Sequence, residues 1–436
     1  MNKKMRIYLL KSPSVEHTAV AFAKSSRSPE PFDVILKSLS NDSVEKFGEK
    51  WIVGYGHASV AEHAVLSVAI ENISRLAGEH IESSRLASYT EKSTRYQRID
   101  KEGFFVPDYI NGDFLSGYMK ICNSLMDFYE KAYNIFVEYL STKAGDEKKA
   151  QKKALDNARY ILPLATLTNI GMTINSRELE YLISKLLSSN IKEMENIGQS
   201  LKTVSLESTP TLLKYANKDP YLESFSMLDN IEGVKDLVFY STNSLVEPKI
   251  LFYDKEKLEY INNFLLFPHT HDGFYDHNQE VTRYVLDHMS EHSEYPREME
   301  HLYFTFEALI DEGVFYELKR HRMCTISSQK PTISNGFHIS ALFEETGLKE
   351  EFVGILNEVK TFYYSYLHRY PNEVRYVIPN ASLRRVIITS NLREWYHIIK
   401  LRTRPNAHFA IRIFANQIKN KISQLDPSLK FLFEKL

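Results

Sequence analysis

Cysteine is scarce in this chain of 436 residues: only Cys122 and Cys324 are present, and they do not form a metal-binding spacing. Two cysteines cannot build a disulfide framework, which favours a reducing, cytoplasmic location. No apolar run approaches the roughly 18 residues of a transmembrane helix, so we expect no membrane partner. The formal net charge is only −2, and overall charge therefore gives no indication of nucleic-acid binding. Residues 5–10 (MRIYLL) predict a first strand and not a signal peptide.

What the chain does contain is one pattern that occurs twice. Residues 62–96 and 300–333 both begin with Glu-His and continue with an apolar segment typical of a strand. Each stretch then predicts a short helix, followed by a loop rich in arginine and hydroxyl side chains. The repetition indicates an internal duplication.

Motifs further along the chain are repeated as well. Arg159 and Arg375 are 216 positions apart, and so are Asn175 and Asn391. A period of more than 200 residues indicates two fused domains and not a solenoid. The pattern loosens around residues 205–230, so we predict one domain over 1–225 and a second over 226–436.

The second copy carries a basic triplet, Arg320-His321-Arg322, whereas the first copy keeps only Arg85 at the matching positions. Basic groups at a helix C-terminus complement the helix dipole, which is the structural interpretation. The functional interpretation is that fixed guanidinium groups bind a phosphate or an electron-rich ring. From this pattern alone both interpretations stay open.

The loop of the first copy carries a second candidate motif, made of Glu91, Ser93 and Arg95. Backbone N–H groups, a hydroxyl and an arginine can form an anion site suited to a monophosphate. Hydroxyl-rich turns are also common without any function. The corresponding positions of the second copy hold Ser328, Lys330 and Thr332.

Several further polar residues lie in or beside apolar segments, where a charge must be paired or bound to a ligand. They are Arg375, Asn391, Arg393 and Arg402, which correspond in the first half to Arg159, Asn175, Arg177 and Leu186. The His57-x-Ser-x-x-Glu-His63 motif could suggest a metal, but its histidines lack the i, i+4 spacing of a helical zinc pair. With no third ligand evident, we expect no metal site.

Taken in order, these motifs resemble the flavin-dependent thymidylate synthases, over nearly the whole chain and twice. The signature of that family is Arg-His-Arg followed, after seven residues, by a serine. The first half has Arg85, seven residues and Ser93, but lacks the preceding Arg-His. The second half has the triplet, but Lys330 replaces the serine.

The resemblance implies an α+β fold class, with two tandem copies of the family fold forming a pseudo-dimer. Members of the family are homotetramers of single-repeat chains, so this chain is expected to be a homodimer with pseudo-tetrameric symmetry. FAD is the implied cofactor, and NADPH and methylenetetrahydrofolate are the implied co-substrates. The implied reaction methylates dUMP to dTMP.

The resemblance further implies one composite site between the halves. Its substrate-binding residues would be Glu91, Ser93, Arg95, Arg375 and Arg402, and its catalytic residues Ser93, Arg322 and Arg402. Flavin contacts would come from His57, Arg85, Arg320, His321, Arg322, Asn391 and Arg393. A mirror site would combine Ser328, Lys330 and Thr332 with Arg159 and Leu186, and is not expected to bind dUMP in the manner of the family.

Two alternatives remain. His80 and Glu317 occupy the place of a glutamine that helps to hold the nucleotide in the family, which favours another pyrimidine nucleotide or another C5 modification. The second alternative is a protein that has kept the fold as a scaffold and lost the chemistry.

Overall fold

A computed structural model describes residues 8, 10–26, 28–50, 58–228, 247–259, 265, 284–285, 287–290, 293–425 and 427–434. Most of the strand predicted at residues 5–10 lies outside these ranges, and so does His57. The sequence of residues 236–244 (DLVFYSTNS) predicts the matching first strand of the second half, and these residues also lie outside the described ranges. Within them, no helix is long and apolar enough to cross a membrane.

The first half contains an antiparallel sheet in the order β1-β3-β2, formed by β1 (Val65–Ser74), β2 (Ala87–Glu91) and β3 (Leu167–Asn175). A 3-10 helix, Ala58–His63, precedes β1. The helices are α1 (Val15–Ser25), α2 (Phe32–Lys37), α3 (Asn41–Phe47), α4 (Arg75–Ile81), α5 (Gly112–Ala144), α6 (Glu147–Ala158), α7 (Ser176–Leu187), α8 (Lys192–Leu206) and α9 (Pro220–Met227).

The second half contains a sheet in the order β4-β5-β7-β6, formed by β4 (Lys249–Tyr253), β5 (Tyr303–Asp311), β6 (Thr325–Ser328) and β7 (Leu383–Asn391). Two 3-10 helices span Arg297–His301 and Glu373–Val377. The α-helices are α10 (Lys255–Glu259), α11 (Glu312–Leu318), α12 (Ala341–Glu345), α13 (Lys349–Tyr366), α14 (Leu392–Arg402), α15 (Phe409–Ser423) and α16 (Pro427–Glu434).

Both halves therefore contain the strand and the short helix that the repeated pattern predicts. The stretch after each helix, predicted as a loop, begins with a short strand instead, β2 in the first half and β6 in the second. In each half a strand runs directly into a helix, and the junction residue caps that helix. Ser74 accepts a hydrogen bond from the N–H of Ala77 at 3.0 Å, and Asp311 accepts one from Val314 at 2.7 Å. Such caps satisfy N–H groups that have no partner in the first helical turn.

Apolar residues spaced three or four apart over 111–139 predict one long helix. The structure confirms it as α5, which packs against α13 of the other half. Phe114 and Phe362 lie 5.2 Å apart between ring centroids, and Phe128 and Phe352 lie 5.6 Å apart. The main hydrophobic cluster contains buried residues from both halves. A second cluster, around the fully buried Trp395, belongs to the second half alone.

The segments after Arg159 and Arg375 exchange backbone hydrogen bonds between the halves. Leu164 N donates to Ile378 O at 2.9 Å, and Asn380 N donates to Leu162 O at 3.0 Å. Since equivalent positions here differ by 216, each of these bonds is the counterpart of the other. The exchange brings the residue before each segment close to the opposite half.

Candidate functional site: an arginine cluster between the halves

Glu317, near the end of α11, lies at the centre of a group of arginines from both halves. Its Oε2 accepts a hydrogen bond from Arg402 Nη1 at 2.6 Å, and its backbone oxygen accepts one from Arg402 Nη2 at 2.8 Å. Its Oε1 lies 3.7 Å from Arg95 Nη1 and 4.0 Å from Arg159 Nη1. We call Arg95, Arg159 and Arg402, together with Glu317, the arginine cluster.

Each arginine reaches the cluster from a different element. Arg95 follows β2, Arg159 caps the C-terminus of α6, and Arg402 ends α14. All three side chains are largely buried, so their charges require partners. Burial would raise the pKa of the Glu317 carboxyl, but the surrounding guanidinium groups outweigh burial and lower this pKa. Glu317 is therefore ionised at neutral pH.

A second carboxylate also contributes, because Asp156 Oδ1 accepts a hydrogen bond from Arg95 Nε at 2.7 Å. The three guanidinium groups of the cluster thus face two carboxylates, Glu317 and Asp156. The remaining positive charge makes the cluster a suitable place for an anion.

Glu91 is buried beside the cluster at the end of β2. Its Oε1 lies 3.1 Å from Arg75 Nη1 and accepts a hydrogen bond from Thr168 at 3.1 Å. Its Oε2 lies 4.0 Å from Arg320 Nη2 and accepts no hydrogen bond from the described part of the chain. Burial acts to raise the pKa of this carboxyl, but Arg75, Lys319 and Arg320 lower it overall. Glu91 and the half-exposed Arg320 thus approach each other from different halves.

His321 orients Arg402, one of the residues predicted to be catalytic. Arg402 Nε donates a hydrogen bond to His321 Nε2 at 3.0 Å. Because arginine only donates, the proton of the neutral imidazole must lie on Nδ1, which is 3.0 Å from Glu394 Oε1. Burial lowers the pKa of His321, consistent with this neutral form. In this chain the histidine of the triplet therefore holds Arg402 in place.

The remaining basic residues of the two loops meet between the halves. Arg322 Nη1 donates to the backbone oxygen of Arg85 at 3.0 Å, and Arg85 Nη2 donates to Thr325 Oγ1 at 3.1 Å. They line a pocket of about 460 Å³, which we call the first pocket, together with Lys319 and His321.

The structure separates Arg375 from this group, contrary to the expectation that it shares a site with Arg402. Arg375 lines a second pocket, of about 450 Å³, with His80 and Lys330. Arg159 lies where Arg375 was expected, in the same cluster as Arg402, and its Nη2 donates a hydrogen bond to Gly313 O at 2.9 Å. The reason is that the segments after Arg159 and Arg375 cross between the halves. Each of these arginines therefore points towards the loop that the sequence assigns to the other arginine.

Two residues expected to contact a flavin have structural partners. Asn391 Oδ1 caps α14 by accepting a hydrogen bond from Glu394 N at 2.9 Å. Arg393 Nη1 lies 3.1 Å from Glu300 Oε1, just as Arg177 lies 2.6 Å from Glu62 in the first half. These ion pairs give the repeated Glu-His motif a structural role, and the flavin contacts of Asn391 and Arg393 remain a prediction.

Sequence reasoning missed a buried ionic group beside the first pocket. Arg384 of β7 lies 2.6 Å from Glu79 of α4 and 2.9 Å from Glu312 of α11. Burial raises the pKa of Glu312 to about 7, whereas Arg384 outweighs burial at Glu79 and lowers its pKa to about 2. Two adjacent arginines, Arg384 and Arg385, in a largely apolar strand were the available signal, but the two partners of Arg384 are distant in sequence.

Comparison with known proteins identifies the family. The model described as "Thymidylate synthase complementing protein" matches residues 9–210 and 255–428. The chain belongs to this family. The two matched segments agree with the duplication seen in the sequence.

Individual relatives of this thymidylate synthase complementing family differ in length. A UPF0159 protein of Thermoplasma acidophilum is 27% identical, over 88% of this chain and 87% of the relative. A flavin-dependent thymidylate synthase of Clostridium tetani is 30% identical, over 47% of this chain and 83% of the relative. A Helicobacter pylori flavin-dependent thymidylate synthase structure, complexed with FAD and dUMP, is 19% identical over 47% of this chain and 95% of its own, with a TM-score of 0.34. That structural similarity is too small to bear on the site.

Proposed function

We propose that the protein methylates dUMP to dTMP in a flavin-dependent reaction, with FAD as cofactor and NADPH and methylenetetrahydrofolate as co-substrates. The reaction would take place at the arginine cluster, in the cytoplasm. The observation that carries this proposal is the convergence of Arg95 and Arg159 from one half with Arg402 from the other. Membership of the family, and relatives named flavin-dependent thymidylate synthase, support the chemistry.

The arrangement proposed for the nucleotide follows from the positions of the charges. In this arrangement Glu91, Ser93 and Arg95 would form one wall of the nucleotide site, and Arg159 and Arg402 would form the other. The phosphate would bind between guanidinium groups, which form bidentate contacts with phosphate oxygens. Arg402, held by His321, would contact the base, and Ser93 and Arg322 complete the proposed catalytic residues.

The first pocket suits the flavin in its chemistry. Arg85 and Arg322 would supply cations for a diphosphate, and Phe315 and Ile326 would supply apolar surface for a ring. Arg320 and His321, at the boundary between this pocket and the arginine cluster, complete the set of residues that would hold the cofactor. When bound and reduced, the flavin supplies the hydride, while the residues of this chain bind and orient the nucleotide.

We further propose that the chain consists of two tandem copies of one fold, related by an approximate two-fold axis. Three pairs of equivalent positions touch each other, as residues on such an axis must. The pairs are Pro163 with Pro379, Glu82 with Lys319, and Arg85 with Arg322. A homodimer of this chain would then form a pseudo-tetramer, which light scattering of the purified protein would test.

The experiment that tests the function is a product assay. The protein is incubated with FAD, NADPH, methylenetetrahydrofolate and dUMP, and dTMP is measured by chromatography. Wild type should form dTMP, and Arg402→Ala should not. A wild-type protein that binds FAD but forms no dTMP would contradict the proposal.

One observation favours a second candidate function, the C5 modification of another pyrimidine nucleotide. Glu317 is an ionised carboxylate, and a carboxylate only accepts hydrogen bonds, whereas a glutamine amide both donates and accepts. An exocyclic amino group, as in cytosine, would satisfy such an acceptor. Comparing dCMP with dUMP in the same assay distinguishes the two substrates.

A further inference from the structure

Glu394, His321 and Arg402 of the second half form a chain of hydrogen bonds, which we call the Glu-His-Arg relay. Glu394 Oε1 lies 3.0 Å from His321 Nδ1, and His321 Nε2 accepts a hydrogen bond from Arg402 Nε at 3.0 Å. The three side chains are largely buried, with 14%, 3% and 12% of their surface exposed. Little water therefore competes for these hydrogen bonds, and each of them is stronger than it would be at the surface.

The contacts of Arg402 within the protein decide where its guanidinium group points. Nε donates to His321, Nη1 donates to a carboxylate oxygen of Glu317 at 2.6 Å, and Nη2 donates to the backbone oxygen of Glu317 at 2.8 Å. An arginine has five N–H donors, so these contacts within the described residues leave two donors for a ligand. Without the hydrogen bond at Nε, the guanidinium group would be held on one side only, and the two remaining donors would lose their fixed direction.

The contact between His321 and Arg402 requires one particular tautomer of the imidazole ring. Arginine only donates, so Nε2 must present its lone pair and the proton must lie on Nδ1. A ring with its proton on Nε2 would instead turn an N–H group towards the N–H of Arg402. Glu394 is the acceptor that favours the proton on Nδ1, because a hydrogen bond at one ring nitrogen determines the role of the other.

Glu394 also has a structural role, which the first half allows us to separate from the relay. A carboxylate in the first turn of a helix complements the helix dipole. Glu394 in α14 and its equivalent Glu178 in α7 share this position, and the backbone N–H of each donates at 2.9 Å to the asparagine that caps its helix. The first half has no counterpart of the relay, since the positions equivalent to His321 and Arg402 hold Ser84 and Leu186.

We propose that Glu394 is a positioning residue of the nucleotide site, which fixes the tautomer of His321 and thereby holds Arg402 in the orientation that binds the nucleotide. Glu394 acts through His321 and does not itself touch the ligand. Only the last step, binding of the nucleotide by Arg402, rests on the proposed function. The tautomer of His321 is a property of the protein without ligand.

Nitrogen NMR of the purified protein, labelled with ¹⁵N in its histidine rings, measures the tautomer directly. The signals of His321 are assigned by their loss in His321→Gln. At a pH of about 8, where an imidazole is neutral, wild type should carry the proton on Nδ1. Glu394→Gln should keep this tautomer, because the amide oxygen of glutamine still accepts the hydrogen bond. In Glu394→Ala a ring with the proton on Nε2 should appear, and Glu178→Ala should match wild type.

The affinity for dUMP of the same variants, measured by isothermal titration of the FAD-loaded protein, tests the effect on the site. Glu394→Ala should bind dUMP about tenfold more weakly than wild type, which corresponds to the loss of one hydrogen bond that holds Arg402. Glu394→Gln should restore the wild-type affinity, although it lacks the carboxylate charge. Glu178→Ala, which removes the same helix-dipole contact in the first half, should leave the affinity unchanged.

Three results would overturn the proposal: a proton on Nε2 of His321 in wild type, an unchanged tautomer in Glu394→Ala, and equal losses of dUMP affinity in Glu394→Ala and Glu394→Gln. The last result would show that the charge of Glu394, and not its hydrogen bond to His321, supports the site. Failure of wild type to bind dUMP, with the tautomers as expected, would count against the proposed function and would still support the action of Glu394 on His321.

Discussion

Glu82 and Lys319 occupy equivalent positions in the two halves and form an ion pair of 2.7 Å with each other. Their separation of 237 positions equals that of Arg85 and Arg322. In a symmetric dimer of identical chains, a residue on the axis meets its own copy, and a charged residue would meet a like charge. Fusion of the two copies removes this restriction, and the opposite charges show that the halves have specialised for each other.

Charge reversal at this contact tests the specialisation. Both side chains are largely buried, so Lys319→Glu or Glu82→Lys should destabilise the protein by roughly 3–5 kcal/mol. The double reversal restores opposite charges and should recover most of the melting temperature. Thermal unfolding measures this, with Lys131→Glu, at the exposed pair Lys131–Glu351, as a control that changes little. A double variant no more stable than the singles would contradict the interpretation.

The two halves should contribute unequally to dUMP binding. Arg402→Ala removes a buried guanidinium group from the cluster and should weaken binding by roughly 2–5 kcal/mol. Leu186→Ala, at the equivalent position of the first half, should leave dUMP affinity unchanged. Equilibrium dialysis with labelled dUMP measures both, and equal losses would show that the nucleotide does not distinguish the two sites.

A second pair of variants tests whether the nucleotide binds beside Arg159, as the structure indicates, or beside Arg375, as the sequence predicts. Arg159 lies in the arginine cluster and Arg375 in the second pocket. Arg159→Lys should therefore weaken dUMP binding about tenfold or more, because lysine cannot reproduce the bidentate fork. Arg375→Lys should change dUMP affinity little. A larger loss of dUMP affinity in Arg375→Lys than in Arg159→Lys would instead support Arg375 as the substrate-binding residue.

At the proposed site, Glu317 would compete with the nucleotide for the same guanidinium groups. Glu317→Gln removes that competing charge, so the variant should bind dUMP more tightly than wild type. Without ligand the variant should melt at a lower temperature, because three buried arginines lose a counter-ion. Thermal shift measurements with and without dUMP give both quantities. Weaker dUMP binding, with unchanged stability, would mean that Glu317 itself contacts the ligand.

The Arg384 group predicts a pH dependence of stability. Because the pKa of Glu312 rises to about 7 in the folded protein, the folded state holds this proton more tightly than the unfolded chain. Its contribution to stability is therefore present at low pH and is lost as the pH rises from about 5 to 7. Glu312→Gln should remove this loss. Melting curves between pH 5 and 8 test it, and parallel profiles for variant and wild type would contradict it.

Much of the fold follows from local patterns that the sequence displays directly. The apolar spacing over 111–139 gives the long helix α5, and the repeated Glu-His stretches give matching strands and helices. Pairing between halves depends instead on contacts more than 200 residues apart. Arg159 and Arg375 look alike in sequence, and only the exchanged segments decide which site each one joins.

The sequence also predicts part of the chemistry of the site. Arg95 and Arg402 both approach Glu317, and Glu91 lies 4.0 Å from Arg320. The binding roles assigned to these residues remain predictions. The replacement of a glutamine by Glu317 was evident from the resemblance, but not that this carboxylate lies at the centre of three guanidinium groups. That role depends on side-chain positions from four separate elements, which no local pattern specifies.

The visible absorption spectrum of the FAD-loaded protein, recorded during titration with dUMP, tests the central claim most directly. The account predicts flavin bands that shift on adding dUMP in wild type and in Leu186→Ala, and that stay constant in Arg402→Ala. A protein that holds no flavin, or flavin bands that ignore dUMP in wild type, would contradict a working nucleotide site at the arginine cluster.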